Sequence, residues 1–256
     1  MNRLKKKTAL ITGATSGIGK ACAKHLAKNK TNLVLVGRNE AKLDALSMKL
    51  INKYKINVET LIVDVRSQKV IESKIEKVLE NTKIDILINN AGLALGMDKL
   101  DEGLLSDWEG MIDTNIKGLL YVSRIIVPAM RKQNSGHVIN IGSIAGKTTY
   151  PNGNVYCATK AAVHSLSEAM NIDLFGTNVR VSNIAPGAVE TEFSNARFHG
   201  DKKKADKVYD GFTPLSADDI ADLIVYVLNA PEHVNIQDAL IMPTSQRNPY
   251  IHYKES

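Results

Sequence analysis

Short apolar runs recur along the chain, each separated from the next by a stretch long enough for a helix. Residues 8–11, 32–36, 58–63, 84–88, 137–141, 180–184 and 239–242 are rich in β-branched and aliphatic side chains, and they read as seven buried strands. Residues 12–19 form a glycine-rich turn after the first strand, and residues 20–29 a helix after that turn. Two further helices show their starts. Ser106 with Glu109 and Ser216 with Asp219 have capping-box spacing, in which a hydroxyl and a carboxylate satisfy orphan amides reciprocally. The second continues as an apolar stripe, Ile220, Leu223, Ile224 and Val227, and Pro231 follows its end.

Strands alternating with helices imply a parallel sheet covered on both faces. The expected fold is α/β: a single domain over residues 1–256, a doubly wound (Rossmann) parallel seven-stranded sheet. No repeat, low-complexity tract or Pro/Gly/Ser linker divides it. Ligands in such folds settle at the carboxyl ends of the strands, and that is where the glycine and polar clusters fall.

Composition narrows the setting. Hydrophobic residues are 44% and charged residues 23%, which supports a full core without metal or disulfide help. The apolar runs fall far short of the roughly 20 residues of a membrane span, and no signal-like region follows the first lysines, so a cytoplasmic location is expected. Cys22 and Cys157 are far apart and suit neither a disulfide framework nor a zinc site; the six histidines lack ligand spacing, and no metal is expected. The net charge of +6 is dispersed and mixed with acids, which argues against nucleic acid.

The turn Thr12-Gly13-Ala14-Thr15-Ser16-Gly17-Ile18-Gly19 sits between strand and helix, where glycines let amides approach a pyrophosphate at the positive helix end. After the second strand comes Gly37-Arg38-Asn39, without the acid that binds the ribose of NAD. Arg38 can offer a planar fork to the extra phosphate of NADP, so NADP(H) is the expected cofactor. The other reading gives the ribose to Glu40 and leaves Arg38 in solvent. Asp64-Val65 ends the third strand, and Asn89-Asn90-Ala91-Gly92 the fourth. Asp64 could accept from an adenine amine, while Ala91 and Gly92 allow close passage of the chain.

The order and spacing of TGATSGIG, NNAG, Asn115, Ser143, Tyr156-Cys157-Ala158-Thr159-Lys160 and Pro186-Gly187 resembles the short-chain dehydrogenase/reductase family over nearly the whole chain. The resemblance implies a catalytic tetrad of Asn115, Ser143, Tyr156 and Lys160. It also implies that Pro186 to Thr191 flank the nicotinamide, with Val189 and Thr191 on its carboxamide. The residue types fit. Tyr156 and Lys160 are one helical turn apart, and an ammonium near a phenol favours the phenolate. Ser143, just after a strand, can donate to the substrate oxygen and steady developing charge. Asn115 stands in an apolar helical stretch, where a backbone kink or a water held near Lys160 would account for it; the family suggests the water. Cys157 reads as packing.

Thr191 to Phe198, Asn152-Gly153-Asn154-Val155 and the tail Met242 to Gln246 resemble a narrower group, the NADP-dependent 3-hydroxy acid (serine 3-) dehydrogenases. That implies serine, allo-threonine or 3-hydroxyisobutyrate as substrate, and malonic semialdehyde in reverse. A small acid needs a cationic anchor. Arg197, in a covering segment around residues 190–214, is the candidate, and pairing with Glu192 or exposure to solvent is the alternative. Residues 195–209 could form a moving lid. Two other functions stay open: a ketoreductase for acyl carriers, sugars or bulky ketones, and an NADP-binding regulatory protein without turnover. The resemblance further implies a homotetramer that pairs through helices spanning residues 108–132 and 156–176.

Overall fold

The computed structural model describes residues 2–253. The chain runs β1 (Thr8–Thr12), α1 (Gly17–Lys28), β2 (Asn32–Gly37), α2 (Glu40–Tyr54), β3 (Val58–Ile62), α3 (Gln68–Asn81) and β4 (Ile86–Asn89). It continues with α4 (Leu105–Ile112), a π-helical segment (Asp113–Gly118), α5 (Leu119–Lys132), β5 (Gly136–Ile141), α6 (Asn154–Asp173) and β6 (Val179–Pro186). Two short helices, α7 (Phe193–Arg197) and α8 (Lys202–Lys207), precede α9 (Ala217–Leu228) and β7 (Asp238–Ile241).

All seven strands belong to one parallel sheet in the order β3-β2-β1-β4-β5-β6-β7. Growth of the sheet reverses between β1 and β4, and the crossovers on either side of that point leave a crevice at the carboxyl ends. Strand alternation builds two cores. Ala9, Ile11, Leu33 and Leu35 face α1, α2 and α9, while Leu10, Val34 and Val36 face α3 and α5. Central strands apolar on both faces are what a doubly covered sheet requires.

Two readings of local structure need correction. The helix after the glycine turn begins at Gly17 rather than Lys20, because Gly17 and Gly19 belong to its first turn. Ser106 caps nothing: Leu104 holds the N-cap position of α4, no side chain bonds there, and Ser106 lies inside the helix. The Ser216–Asp219 capping box forms as expected, with Ser216 Oγ accepting from the Asp219 N–H at 3.2 Å and Asp219 Oδ2 accepting from the Ser216 N–H at 2.7 Å.

Residues 190–214 leave the sheet and return to it at one point. Val189 bridges Leu215 in parallel register, Leu215 N–H donates to Ala188 O at 2.9 Å, and Glu190 N–H donates to Leu215 O at 2.8 Å. The excursion that holds α7 and α8 is thus closed at its neck. Among the described residues, no helix is long and apolar enough to cross a membrane.

Ser216→Ala is expected to lower the unfolding free energy by about 1 kcal/mol. Ser106→Ala, exposed and without a cap to lose, should stay within about 0.5 kcal/mol. Urea denaturation of the two variants side by side checks the contrast.

Candidate active site

The glycine turn is stitched to the end of β4. Thr12 Oγ accepts from the N–H groups of Asn90 and Ala91 at 3.0 Å each, and Asn90 Nδ2 donates to the carbonyls of Thr12 and Gly13 at 2.9 and 3.1 Å. Gly13 has φ +65°, and a Cβ there would lie 2.9 Å from Asn90 Nδ2. Gly19 differs from the expectation. It lies buried beneath the turn instead of lining the cleft, because Gly13 O and Asn90 Nδ2 occupy the space a side chain would need.

A cleft of about 670 Å³ opens over this turn. Of the residues expected at a dinucleotide, Gly13, Thr15, Ser16, Gly17 and Ile18 line it from the turn, and Arg38, Asn39, Asp64 and Val65 from the ends of β2 and β3. Asn90, Ala91 and Gly92 form its floor, and Tyr156, Lys160, Pro186, Gly187, Val189 and Thr191 its far end. Glu192, Phe193 and Ala196 line it from the Thr191 to Phe198 stretch, and Lys42, which no motif in the sequence marked, lines it as well.

Asp64 lines the cleft with its carboxylate already paired within the chain. Arg66 folds back on it, with Nε 3.1 Å from both carboxylate oxygens and Nη2 2.7 Å from Oδ2. Burial would raise the Asp64 carboxyl, but the hydrogen bonds and charge of Arg66, with that of Arg38, hold it below its ordinary value. Arg38 is exposed, and its Nη1 is 3.8 Å from Asp64 Oδ2, beyond hydrogen-bond range. Asn39 caps α2 by accepting from the Lys42 N–H at 2.9 Å, and Glu40 is that helix's first-turn acid.

At the far end, β5 delivers Ser143 and α6 delivers Tyr156 and Lys160. Ser143 stands beside Tyr156, and its Oγ accepts from the Ala145 N–H at 3.1 Å. Lys160 Nζ donates to Ile141 O at 2.8 Å. Burial lowers its pKa to about 8. Burial also drives the Tyr156 phenol well above its ordinary value, and the charge of Arg197 and the Ser143 hydroxyl oppose that rise. Arg197 thus brings a second positive charge to the phenol beside the expected Lys160, whose ammonium is held at the Ile141 carbonyl.

Asn115 lies in the π-helical segment, so a backbone distortion does accompany it. Its Oδ1 accepts from the Leu93 N–H at 2.9 Å, and its Nδ2 donates to Leu93 O at 2.8 Å and Thr159 Oγ1 at 3.0 Å. Asn115 thus clips the chain after β4 to α6, and neither it nor Ser143 lines the large cleft.

Arg197 reaches Tyr156 from α7. Its guanidinium lies 4.9 Å from the Tyr156 ring centroid, 5.4 Å from Phe193 and 5.8 Å from Tyr150, and Nη2 donates to Tyr150 Oη at 2.7 Å. Its Nε is buried without a partner. Glu192 is exposed and stands 4.0 Å from Lys42, so it does not pair with Arg197. Arg197 and Tyr156 line a small pocket with Tyr150, Trp108 and Met111, and Tyr156 borders both spaces. Tyr150 was not singled out from the sequence; its position beside Pro151, before the glycine that opens α6, gave no chemical signal.

The short chain dehydrogenase family model matches residues 7–202. The chain belongs to that family. It is 44% identical to an NADP-dependent 3-hydroxy acid dehydrogenase of Schizosaccharomyces pombe over 96% of both chains. It is 42% identical to sulfoacetaldehyde reductase 2 of Chromohalobacter salexigens, over 93% of this chain and 94% of that one. Among solved structures, the closed form of a serine dehydrogenase complexed with NADP+ superimposes with a TM-score of 0.88 at 40% identity, covering 97% of this chain and all of that one.

The depressed Lys160 pKa has a consequence for stability. Below about pH 8 the folded and unfolded chains both carry the ammonium. From about 8 toward the ordinary 10.5 the folded chain has lost that proton while the unfolded chain keeps it, so stability rises with pH. Unfolding free energy should therefore increase between pH 8 and about 10, by at most about 3 kcal/mol in all. Lys160→Met should flatten that rise in urea titrations at each pH.

Proposed function

We propose that this enzyme interconverts the 3-hydroxyl and 3-oxo forms of a small acid: serine, allo-threonine or 3-hydroxyisobutyrate, with malonic semialdehyde in the reducing direction. The coarser activity is that of an NADP-dependent oxidoreductase acting on CH–OH groups, in keeping with the family and with relatives named for NADP. The cleft suits NADP(H). Gly13 and Gly19 of its turn leave no room for a side chain, and Arg38 stands exposed at the β2 end with no hydrogen bond to Asp64. Bound there, the nicotinamide supplies the hydride exchange.

The chain's own residues handle the proton and the substrate. Tyr156 Oη takes the hydroxyl proton during oxidation and returns it during reduction. Ser143 donates to the substrate oxygen and keeps it within reach of Tyr156. Lys160 and Arg197 bring positive charge to a phenol that burial alone would leave too weak an acid, and Asn115 fixes the α6 end of the site. Val189 and Thr191 hold the nicotinamide side.

The observation that carries the choice of substrate class is Arg197: a half-buried guanidinium with a buried, unpartnered Nε, lying over the Tyr156 ring and paired with no carboxylate among the described residues. A half-buried charge of this kind is costly until an anion completes it. A carboxylate two carbons from the reacting hydroxyl would do so. The same cradle suits a sulfonate, and the sulfoacetaldehyde reductase among the relatives makes that the second reading. Residues 190–214 would cover the substrate. A cytoplasmic homotetramer completes the proposal, supported by the exposed Ile172 and Phe175 at the end of α6.

Tyr156→Phe should cut kcat by about 100- to 10,000-fold, with NADPH still bound, as single-turnover fluorescence would report. Arg38→Ala should reduce the preference for NADPH over NADH about tenfold or more; equal use of both cofactors by the intact enzyme would overturn that assignment. Arg197→Met should raise KM for hydroxy acids at least about tenfold and leave a neutral alcohol within about twofold. A rate panel of serine, 3-hydroxyisobutyrate, sulfoacetaldehyde and an acetoacetyl thioester tests the substrate class, and preference for the thioester would sink it.

A further inference from the structure

Tyr209 lies two residues beyond the end of α8, inside the excursion and remote in sequence from every motif of the site. Its hydroxyl donates to Val189 O at 2.8 Å, and Ser194 Oγ lies 2.7 Å from the same oxygen. The single phenolic hydrogen is spent on Val189, so the Ser194 hydroxyl is the donor in the second pair. Burial pushes the Tyr209 pKa up, against the Ser194 hydrogen bond, so the hydroxyl remains a donor across neutral and mildly alkaline pH.

The three residues belong to three parts of the site. Val189 is the last residue before the neck of the excursion and lines the cofactor cleft. Its bridge to Leu215 runs through Ala188 O and Glu190 N–H, so Val189's own N–H and C=O point away from Leu215. Ser194 is buried in α7 between Phe193, which meets the Tyr156 ring edge-on at 5.7 Å, and Arg197. The other ties of this region lead elsewhere. Gly96 N–H donates to Arg197 O at 3.0 Å, and His199 Nε2 lies 3.0 Å from Asp107 Oδ2, both joining the excursion to the α4 side. Among the described residues, the tie through Tyr209 reaches Val189, which follows β6 and lines the cofactor cleft.

We infer that Tyr209 is a positioning residue that couples the cofactor to the anion anchor: through Val189 and Ser194 it sets where α7 holds Arg197 above Tyr156. The inference rests on the reading of Arg197 given above and adds a residue that acts on substrate only through others. A nicotinamide that orders Val189 orders Tyr209 and Ser194 with it, and the acid then meets a guanidinium already in place. Losing either hydroxyl uncouples the two ligands without removing a group that touches them.

Hydrogen-exchange mass spectrometry of residues 193–199, with and without NADP+, tests this directly. In the intact enzyme NADP+ should slow exchange there. In Tyr209→Phe most of the slowing should vanish, while the Kd for NADP+ changes less than about threefold. In steady-state assays Tyr209→Phe should raise KM for the hydroxy acid about tenfold and change kcat, and KM for a neutral alcohol, less than about twofold. Ser194→Ala should reproduce both effects, and the double variant should be no worse than either single one, as expected for members of one unit. Should Tyr209→Phe fold poorly by circular dichroism, Ser194→Ala carries the same test.

NADP+-dependent slowing that persists in Tyr209→Phe, or single losses that multiply in the double variant, would overturn the inference. The exchange experiment uses NADP+ alone, so it stands or falls independently of the substrate. If Arg197→Met spares hydroxy acids while the exchange coupling remains, the substrate reading fails and the Tyr209 linkage survives.

Discussion

The site depends on a stitch of four hydrogen bonds at the point where the sheet reverses. Thr12 and Asn90 lie at the ends of adjacent strands whose crossovers depart in opposite directions, and without a tie the two rims could spread apart. The Thr12 hydroxyl takes two amides from the far rim, and the Asn90 side chain returns two donors to the near one. The glycine turn is thereby fixed against β4. β5 and β6 follow in register, so the positions of Ser143 and Val189 relative to that turn are set by backbone pairing.

Over this rigid rim the protein accumulates positive charge that it does not neutralise internally. Lys160 is buried on a backbone carbonyl, and Arg197 is half-buried among aromatic rings with its buried Nε unsatisfied. A core optimised for stability alone would fill such positions with apolar side chains. Arg197 lies over the Tyr156 ring and Lys160 follows Tyr156 by one helical turn, and the burial that lowers the lysine's pKa makes its charge costly to hold. Stability is given up where ligands and a proton are to be handled.

Much of this was legible in the sequence, and the reasons differ from element to element. All seven strands could be read because buried parallel strands are short, continuous and apolar, and the Ser216 cap because both of its partners lie within one turn. Ser106 had the same local pattern and misled, since the chain enters α4 one residue before it and the spacing cannot show where a helix begins. Asp64 was placed correctly on the rim, but its partner Arg66 was missed: a side chain folding back over two residues leaves no periodic trace. Gly19 matched the motif, and the steric reason visible in the fold is clearance beneath the turn. Tyr150 was silent, and the pairing of Ser194 with Tyr209 could not be read although both lay in stretches already singled out, because these contacts form only once the excursion has folded.

The neck at Val189 and Leu215 makes that excursion separable from the architecture that carries it. Because the segment begins and ends on one bridge, its length can drift without shifting a strand, although Thr191, Phe193 and Ala196 within it contribute to the cleft wall. A scaffold hinged in this way offers protein engineers an insertion cassette that reshapes one wall of the crevice while the sheet beneath it is inherited unchanged.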